Sequence, residues 1–350
     1  SGRGVVASCS YEARRYGVRS AMPIGMALRL CPDAIILRGD HDEYSRQSKL
    51  ITDIIEAEAP LFEKASIDEF YLDLTGMDKY VGCWRWSDEL REKIIRESGL
   101  PISMSLSVNK LVSKVGAGEA KPNGKKLVEN GTEREFLAPL PVGKIPSVGK
   151  ETQKKLALMG VRTVSTLAQI PPKLLEREFG KFGGALWKKA NAIDDSPVVP
   201  YHEAKSISTE RTFQTDTIDV RLLKDRLTDM VTRLAFELRQ QQKLTACLTV
   251  KIRYSDFNTY TQQLAIPYTA SDRALLNCAK ELFDKLYQRR QLVRLIGVKF
   301  SALVPGSYQL NLFEDTGEEM RLLEQLDHIR RRFGEKAVRK ASTLVHSPSK

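Results

Sequence analysis

Apolar and polar residues alternate most regularly between residues 244 and 254. One side of this segment is apolar and has five members: Leu244, Ala246, Leu248, Val250 and Ile252. The other side is polar or basic: Thr245, Thr249, Lys251 and Arg253. Such alternation is typical of a β-strand with one face in a core and the other in water.

The elements around this strand follow a recognisable order. The pattern predicts a strand at 206–213, a helix of about 20 residues from Asp219, a hairpin of strands 244–254 and 259–266, a helix at 271–288 and a strand at 293–303. In the last strand, Lys299 and Ser301 lie opposite Ile296, Val298 and Phe300. This β-α-β-β-α-β order predicts a ferredoxin-like module with helices on its apolar face and a basic open face.

The chain before residue 206 predicts helices interleaved with short strands. Candidate helices lie at 11–16, 23–31, 42–58, 86–97 and 110–119, and candidate strands in the hairpin 62–74 and at 102–108. From about Gly131 the pattern changes to helices joined by tight turns, and a polar, Pro-containing linker follows near 198–206. The fold class is therefore α+β and multidomain.

Charge and composition narrow the function. The 350 residues carry 55 Lys and Arg against 44 Asp and Glu, a net charge of +11, which favours a polyanionic partner such as nucleic acid or an anionic membrane surface. No apolar run is long enough to span a bilayer. The five cysteines form no C-x-x-C pair, which argues against a zinc site and for reduced thiols in a cytoplasmic protein.

The strongest candidate site is the segment 65–74, with the sequence ASIDEFYLDL. Asp68 and Glu69 are adjacent in a strand-like run, where one of two neighbouring acids is expected to meet the core. A divalent metal would compensate that cost, and two-metal phosphoryl transfer uses carboxylate ligands of this kind. The alternative is a solvated hairpin turn.

Two other segments suit a triphosphate. Tyr11 and Arg14 are three residues apart on a predicted helix, so they can address one spot, and Arg can bind two phosphate oxygens. Lys121 lies directly before Pro122 in the turn AKPNG, and its side chain can neutralise phosphate charge. The alternatives are a solvated helix face and an ordinary surface turn.

Two features suit a DNA backbone. The turn that includes Val148, Gly149 and Lys150 can present backbone N–H groups and a helix N-terminus to a phosphate, with Gly149 making the turn and the next helix starting near Gln153. Lys251, Arg253 and Lys299 can follow a backbone independently of base sequence. An αα-hairpin connection and a solvated sheet face are the alternatives.

The C-terminal segment has two apolar features. The peptide QLNLF, with Gln309, Leu310, Leu312 and Phe313, is typical of a docking peptide, although it could also pack on its own domain. A helix at 318–333 follows, and its role stays open. Its apolar face comprises Leu322, Leu326, Ile329 and Phe333.

Together these segments resemble the Y-family translesion DNA polymerases, and most closely the bacterial DNA polymerase IV group. The resemblance rests on collinear motifs: SYEARRYGVRSAMP, ASIDEFYLDL, SLSVNKLVSK, AKPNG, IPSVG, the β-α-β-β-α-β module and QLNLF. It implies fingers at 1–40, a palm at 41–130, a helix-hairpin-helix thumb at 131–198, a linker at 199–208, a little finger at 209–304 and a tail at 305–350.

The resemblance also implies error-prone, template-directed DNA synthesis without proofreading, dependent on two Mg²⁺ ions. Asp68 would hold metal together with Glu69, which would also lie by the primer 3′-hydroxyl. Ser8, Tyr11, Arg14 and Lys121 would contact the dNTP, and QLNLF would bind the sliding clamp. Primer-template DNA is the expected partner, and the expected state is a cytoplasmic monomer.

One departure from the family matters. Its members begin with a palm strand that carries a further metal-binding Asp and then an aromatic gate against ribonucleotides, and we expect both upstream of Ser1. We therefore expect this chain alone to be inactive or impaired. The alternative function is a non-catalytic DNA-binding adaptor on the clamp, and an endonuclease is a third, less favoured interpretation because no further acidic cluster or catalytic His is seen in the sequence.

Overall fold

The computed structural model describes residues 3–80, 82–200, 203–288, 290–306, 316–335 and 337–338. The chain forms two units, one of residues 32–202 and the other of residues 1–31 together with 203–350. None of the helices in the described part of the chain is long and apolar enough to cross a bilayer.

The first 31 residues form two short helices, α1 (Tyr11–Arg15) and α2 (Ile24–Leu30). The Ser10 side chain accepts a hydrogen bond from the Ala13 N–H and caps α1. A small core of Val6, Val18 and Ala27 holds the segment together. Arg3 belongs to the same unit as the little-finger module and forms an ion pair of 2.7 Å with Asp216.

The unit of residues 32–202 begins with elements of the predicted palm. They are α3 (His41–Glu58), β1 (Phe62–Lys64), β2 (Phe70–Leu72), α4 (Cys83–Ser98), β3 (Met104–Leu106), α5 (Lys110–Glu119) and β4 (Lys125–Leu127). β1 pairs with β2 antiparallel and β3 with β4 parallel, so the described residues form two separate two-stranded sheets. Ile54 and Ile55 of α3 pack against Leu90 and Ile94 of α4.

Five helices complete this unit. They are α6 (Glu133–Leu137), α7 (Lys150–Leu158), α8 (Val164–Ala168), α9 (Pro172–Phe179) and α10 (Lys181–Ala190). Gly180 turns the chain between α9 and α10 at a φ of 64°, which favours glycine. Gly183 is equally required, because a Cβ there would lie 2.1 Å from the Leu175 carbonyl oxygen. The five helices confirm the helical character predicted for this region.

The remaining elements confirm the predicted β-α-β-β-α-β order. They are β5 (Ser206–Thr217), α11 (Val220–Gln240), β6 (Lys243–Tyr254), β7 (Thr259–Thr269), α12 (Asp272–Leu286) and β8 (Val293–Pro305). The sheet order is β5-β8-β6-β7 with every pair antiparallel, so the last strand lies between the first and second. Leu248, Val250 and Ile252 are fully buried under α11 and α12, as the alternation predicts.

The alternation predicts the wrong face for one residue of this strand. Thr245 was expected on the polar face, but it is fully buried and its hydroxyl donates to the Ser301 carbonyl oxygen at 2.7 Å. The β6–β7 register shifts between Thr245 and Cys247, so the strict period of two does not extend through this end of the strand.

Helix α13 (Thr316–Phe333) packs against the little-finger module through its charged face. Asp327 and Arg330 are 4% and 5% exposed, and Leu323 is buried beside them. The apolar face predicted from sequence points outward instead, with Leu322 at 59% and Phe333 at 67% exposure. The Arg239 guanidinium of α11 explains this arrangement, since it holds Asp327 through two hydrogen bonds of 2.6 and 2.9 Å.

Candidate active site and nucleic-acid interface

Asp68 and Glu69 lie in the turn of the β1–β2 hairpin. The Ala65 N–H donates to the Glu69 carbonyl oxygen at 3.0 Å, which closes the turn, and both carboxylates are exposed. The expectation that one of them meets the core is therefore wrong. The strand after them begins only at Phe70, and it is Phe70 and Leu72 that pack against the core.

Each carboxylate has one partner that fixes its direction. The Ser66 hydroxyl donates to Asp68 Oδ1 at 2.7 Å, and Lys114 Nζ lies 2.6 Å from Glu69 Oε2. Lys114 projects from α5, whose N-terminus is capped by Asn109. The hydrogen bond with Glu69 raises the pKa of Lys114, and partial burial opposes that rise.

Lys114 is a site residue that the sequence reasoning missed. Its signal was available, because Lys110 and Lys114 are four residues apart on a helix that follows a strand. Lys110 pairs with the buried Glu63 at 2.6 Å and lies 4.8 Å above the ring of Tyr71. Burial raises the pKa of Tyr71. Lys110 thus ties α5 to the hairpin, while Lys114 reaches the catalytic candidates.

A cavity of about 1940 Å³ opens beside this pair, within the unit of residues 32–202. β2 and β3 both line it. The Asp73 N–H donates to the Leu61 carbonyl oxygen at 2.9 Å, and the Ala65 N–H donates to that of Glu69, so every second pair of the β1–β2 ladder is hydrogen-bonded. Phe70 and Leu72 lie in the alternate pairs, so their backbone N–H and C=O groups are directed away from β1. Within the described residues, neither β2 nor β3 has a second strand neighbour.

The carboxylate pair is not joined by a third potential ligand in the part of the chain that the structure covers. No group of three His, Cys, Asp or Glu residues suited to a metal occurs among the described residues. Asp68 and Glu69 therefore supply carboxylate oxygens for a hard cation, but they form at most part of a metal site.

The dNTP candidates fall in both units. Tyr11 and Arg14 approach each other on α1, with the guanidinium carbon 5.2 Å from the centre of the Tyr11 ring. Arg14 Nε also donates to the Cys9 carbonyl oxygen at 3.3 Å, and Ser8 is exposed just before the helix. Lys121 belongs to the other unit, where it is exposed directly after α5. The proximity predicted for Tyr11 and Arg14 is confirmed.

The predicted thumb turn is built differently from the expectation. Ser147 has the left-handed conformation, with φ at 75°, whereas Gly149 is extended and precedes α7, which starts at Lys150 rather than near Gln153. Lys189 Nζ donates to the Pro146 carbonyl oxygen at 3.0 Å and lies 3.3 Å from the Ser147 hydroxyl.

Val148 does not fit a direct DNA contact. Its side chain is buried, its N–H donates to the Ile145 carbonyl oxygen at 3.1 Å, and its own carbonyl accepts from Gln153. Gly149 and Lys150 are exposed and lie at the start of α7. Gly149 and Lys150 therefore stay predicted DNA contacts, and the side chain of Val148 is not accessible for one.

The open face of the little-finger sheet is basic, as predicted. Lys299 is exposed, and Lys251 and Arg253 are half-buried on the face opposite α11 and α12. The pairing places Lys299 beside Thr249 on β6 and beside Ser208 on β5. Arg253 Nε donates to the Thr259 hydroxyl at 2.8 Å. The predicted clamp peptide, residues 309–313, lies outside the described residues.

Comparison with known proteins identifies the chain. The description "impB/mucB/samB family" matches residues 1–118, its C-terminal domain matches 204–312, and a thumb domain described for DNA polymerase-iota matches 143–194. DNA polymerase IV of Dehalococcoides mccartyi is 35% identical over 344 residues, which cover 97% of this chain and 88% of that protein. The chain belongs to the Y-family DNA polymerases, in the DNA polymerase IV group.

A second relative in the DNA polymerase IV group is similarly close in sequence to this chain. DNA polymerase IV 2 of Methanosarcina mazei is 35% identical over 317 residues, which cover 90% of this chain and 86% of that protein. Solved structures are alike in fold at 24% identity. A Y-family polymerase chimera of Dbh and Dpo4 has a TM-score of 0.74 and covers 86% of this chain and 88% of that chain. DinB from Sulfolobus solfataricus has a TM-score of 0.57, with 87% and 89% covered.

Proposed function

We propose that this Y-family polymerase extends a DNA primer across damaged template bases, without proofreading. The observation that carries the proposal is the pair Asp68 and Glu69, exposed side by side on a hairpin turn in a chain of this family. Family membership identifies a polymerase, and the hairpin carries two carboxylates of the kind that two-metal nucleotidyl transfer uses. The structure offers no observation that favours the clamp adaptor over this function.

The donor set fits a hard divalent cation, because both side chains end in carboxylate oxygens and both are open to solvent. Asp68 and Glu69 would hold Mg²⁺ together with a further carboxylate. When bound, two Mg²⁺ ions would neutralise the triphosphate and lower the pKa of the attacking hydroxyl.

The cavity beside the pair supports that expectation. β2 and β3 line the same space, and backbone groups of Phe70 and Leu72 are directed away from their only strand partner within the described residues. Unpaired strand edges are a template for a further strand. We propose that a further strand of the polymerase pairs there and brings the additional carboxylate.

The chain's own residues then have distinct tasks. Glu69 lies by the primer 3′-hydroxyl, and Lys114 keeps its carboxylate in one direction through the 2.6 Å ion pair. Arg14, stacked near Tyr11, would bind triphosphate oxygens through its planar fork, with the help of Ser8. Lys121 of the other unit would separately offer a point charge to phosphate.

DNA would contact two surfaces. Gly149 and Lys150 at the start of α7 would face one phosphate, while Lys251, Arg253 and Lys299 would follow the backbone along the open sheet face. Solved structures of similar fold include an insertion ternary complex of Dbh DNA polymerase, and for this chain we propose primer-template DNA and dNTP as partners. We further propose a monomer that works in the cytoplasm and binds the sliding clamp through Gln309, Leu310, Leu312 and Phe313.

Primer extension by the full-length gene product tests the function. Asp68→Ala and Glu69→Ala should each slow extension at least about a hundredfold, because each removes part of the two-metal clamp, while DNA affinity stays within about twofold. Glu89→Ala is the matched control, since Glu89 is an exposed acid of α4 that forms a surface ion pair with Arg85. Equal extension by Asp68→Ala, Glu69→Ala and the control would contradict a polymerase site here and would favour the adaptor.

A further inference from the structure

One acid lies on the basic face of the little-finger sheet. The strand pairing places Glu210 of β5 opposite Gly297 of β8, and Gly297 opposite Lys251 of β6. Glu210 and Lys251 are therefore on the same face, separated by one strand. Their side chains nevertheless form an ion pair across β8.

Gly297 makes this contact possible. A Cβ added at Gly297 would lie 2.8 Å from Glu210 Cγ and 3.4 Å from its carboxylate carbon. Any larger residue would therefore push the Glu210 side chain off β8. The glycine is not needed for backbone conformation here, because its φ is not in the left-handed region. Its role is to leave space for the acid.

The neighbouring cations differ from Lys251. Within the described residues, Lys299 and Arg253 have no carboxylate partner, whereas Lys251 has Glu210. Both members of the pair are accessible, with 33% of the Lys251 side chain and 41% of the Glu210 side chain exposed. A phosphate that approaches Lys251 therefore meets a carboxylate already bound to it.

We propose that Glu210 competes with DNA phosphate for Lys251, and that Gly297 allows the competition. The proposal rests on the proposed use of this sheet face for DNA. A backbone phosphate can bind Lys251 only by displacing Glu210, and Lys251 neutralises no phosphate while Glu210 holds it. Glu210 therefore lowers the affinity for DNA and the number of phosphates neutralised by the face. An exposed pair contributes little to stability, so a purely structural role explains its position poorly.

The test measures how full-length polymerase binds a fluorescent primer-template duplex as salt is varied. Glu210→Gln should bind about two- to fivefold more tightly at low salt, which is the scale of one exposed ion pair. Its plot of log affinity against log salt should be steeper by about 0.9, because one more phosphate is neutralised. Glu281→Gln is the control, since Glu281 pairs with Lys285 on the exposed side of α12.

Gly297→Ala separates competition from a general charge effect. It leaves the net charge unchanged but displaces Glu210, so it should also tighten binding. In a Lys251→Gln background, Glu210→Gln should give no gain in affinity beyond that of the control. If Gly297→Ala lowers the melting temperature, the Lys251→Gln background still decides the question.

Two results have different consequences. If Lys251→Gln weakens binding but Glu210→Gln does not tighten it, competition is wrong while the DNA-binding face stands. If Lys251→Gln and Lys299→Gln both leave the affinity for DNA unchanged, this sheet face does not bind DNA, and the proposed competition is wrong as well.

Discussion

Asp327→Asn should release α13 from the little-finger module without unfolding the module. The Arg239 guanidinium holds Asp327 at 2.6 and 2.9 Å, and its third contact goes to Asp272 at 2.7 Å. Burial lowers the pKa of Arg239, but the hydrogen bonds and charges of Asp327 and Asp272 raise it by more, so the net shift of the pKa is upward. The guanidinium is therefore charged at every accessible pH, and the amide would leave two cations, the half-buried Arg239 and the buried Arg330, with one carboxylate.

The magnitude follows from these contacts. Removing one partner of a buried ion pair costs about 3–5 kcal/mol because it leaves an uncompensated charge. Among the described α13 side chains, Leu323 is the one buried apolar residue, so apolar burial contributes about 1.5–3 kcal/mol to its docking. The electrostatic loss is at least as large as that contribution, and the helix is expected to detach rather than pull the sheet apart.

Hydrogen exchange measured by mass spectrometry checks this expectation. Amides of residues 316–333 should exchange at least about a hundredfold faster in Asp327→Asn, since about 3 kcal/mol corresponds to more than two factors of ten. Amides of β6 and β8 should keep their protection. Trypsin should also cut more readily after Arg330, which is 5% exposed when docked.

A matched control is Asp284→Asn, because Asp284 forms an exposed ion pair with Lys224 on the same module. It should change neither readout. Unaltered protection of α13 in Asp327→Asn would refute the reasoning. So would a uniform loss of protection across the sheet, because the network would then hold the whole module and not the helix.

Three other predictions concern the site and the tail. Lys114→Met should lower the extension rate about tenfold or more and leave DNA affinity unchanged, because Glu69 loses the group that directs its carboxylate. Lys93→Met, which removes the ion pair with Glu58, is the surface control. Equal extension rates for the two variants would contradict this role of Lys114. Because the hydrogen bond with Glu69 raises the pKa of Lys114 above its ordinary value, the ion pair is complete at neutral pH. Its stabilisation is lost only as pH rises through that raised pKa, so the wild-type rate should show no Lys114 titration at neutral or mildly alkaline pH. Leu312→Ala with Phe313→Ala should abolish clamp binding in a pull-down and spare distributive synthesis, and unchanged clamp affinity would refute the peptide's role.

The sequence by itself determined the local elements and their order. The β-α-β-β-α-β succession follows from period-two and helical patterns, which depend on which residues face a core. The proximity of Tyr11 and Arg14 follows from helical spacing alone. Asp68 and Glu69 were found because two adjacent acids interrupt an apolar run, and the collinear motifs placed the chain in its family.

Tertiary structure decided what these elements contact. Whether Asp68 and Glu69 enter the core depends on where the hairpin turns, and a short β1 and β2 leave both outside. The ion pair of Glu69 with Lys114 joins residues 45 positions apart, and that of Glu210 with Lys251 requires β8 between them, with glycine at one position. Helix α13 packs through its charged face because Arg239 lies opposite Asp327, a contact across 88 positions that no local pattern encodes. Local periodicity reports which face of an element can be buried, whereas the partner that buries it is fixed only when distant segments pack together.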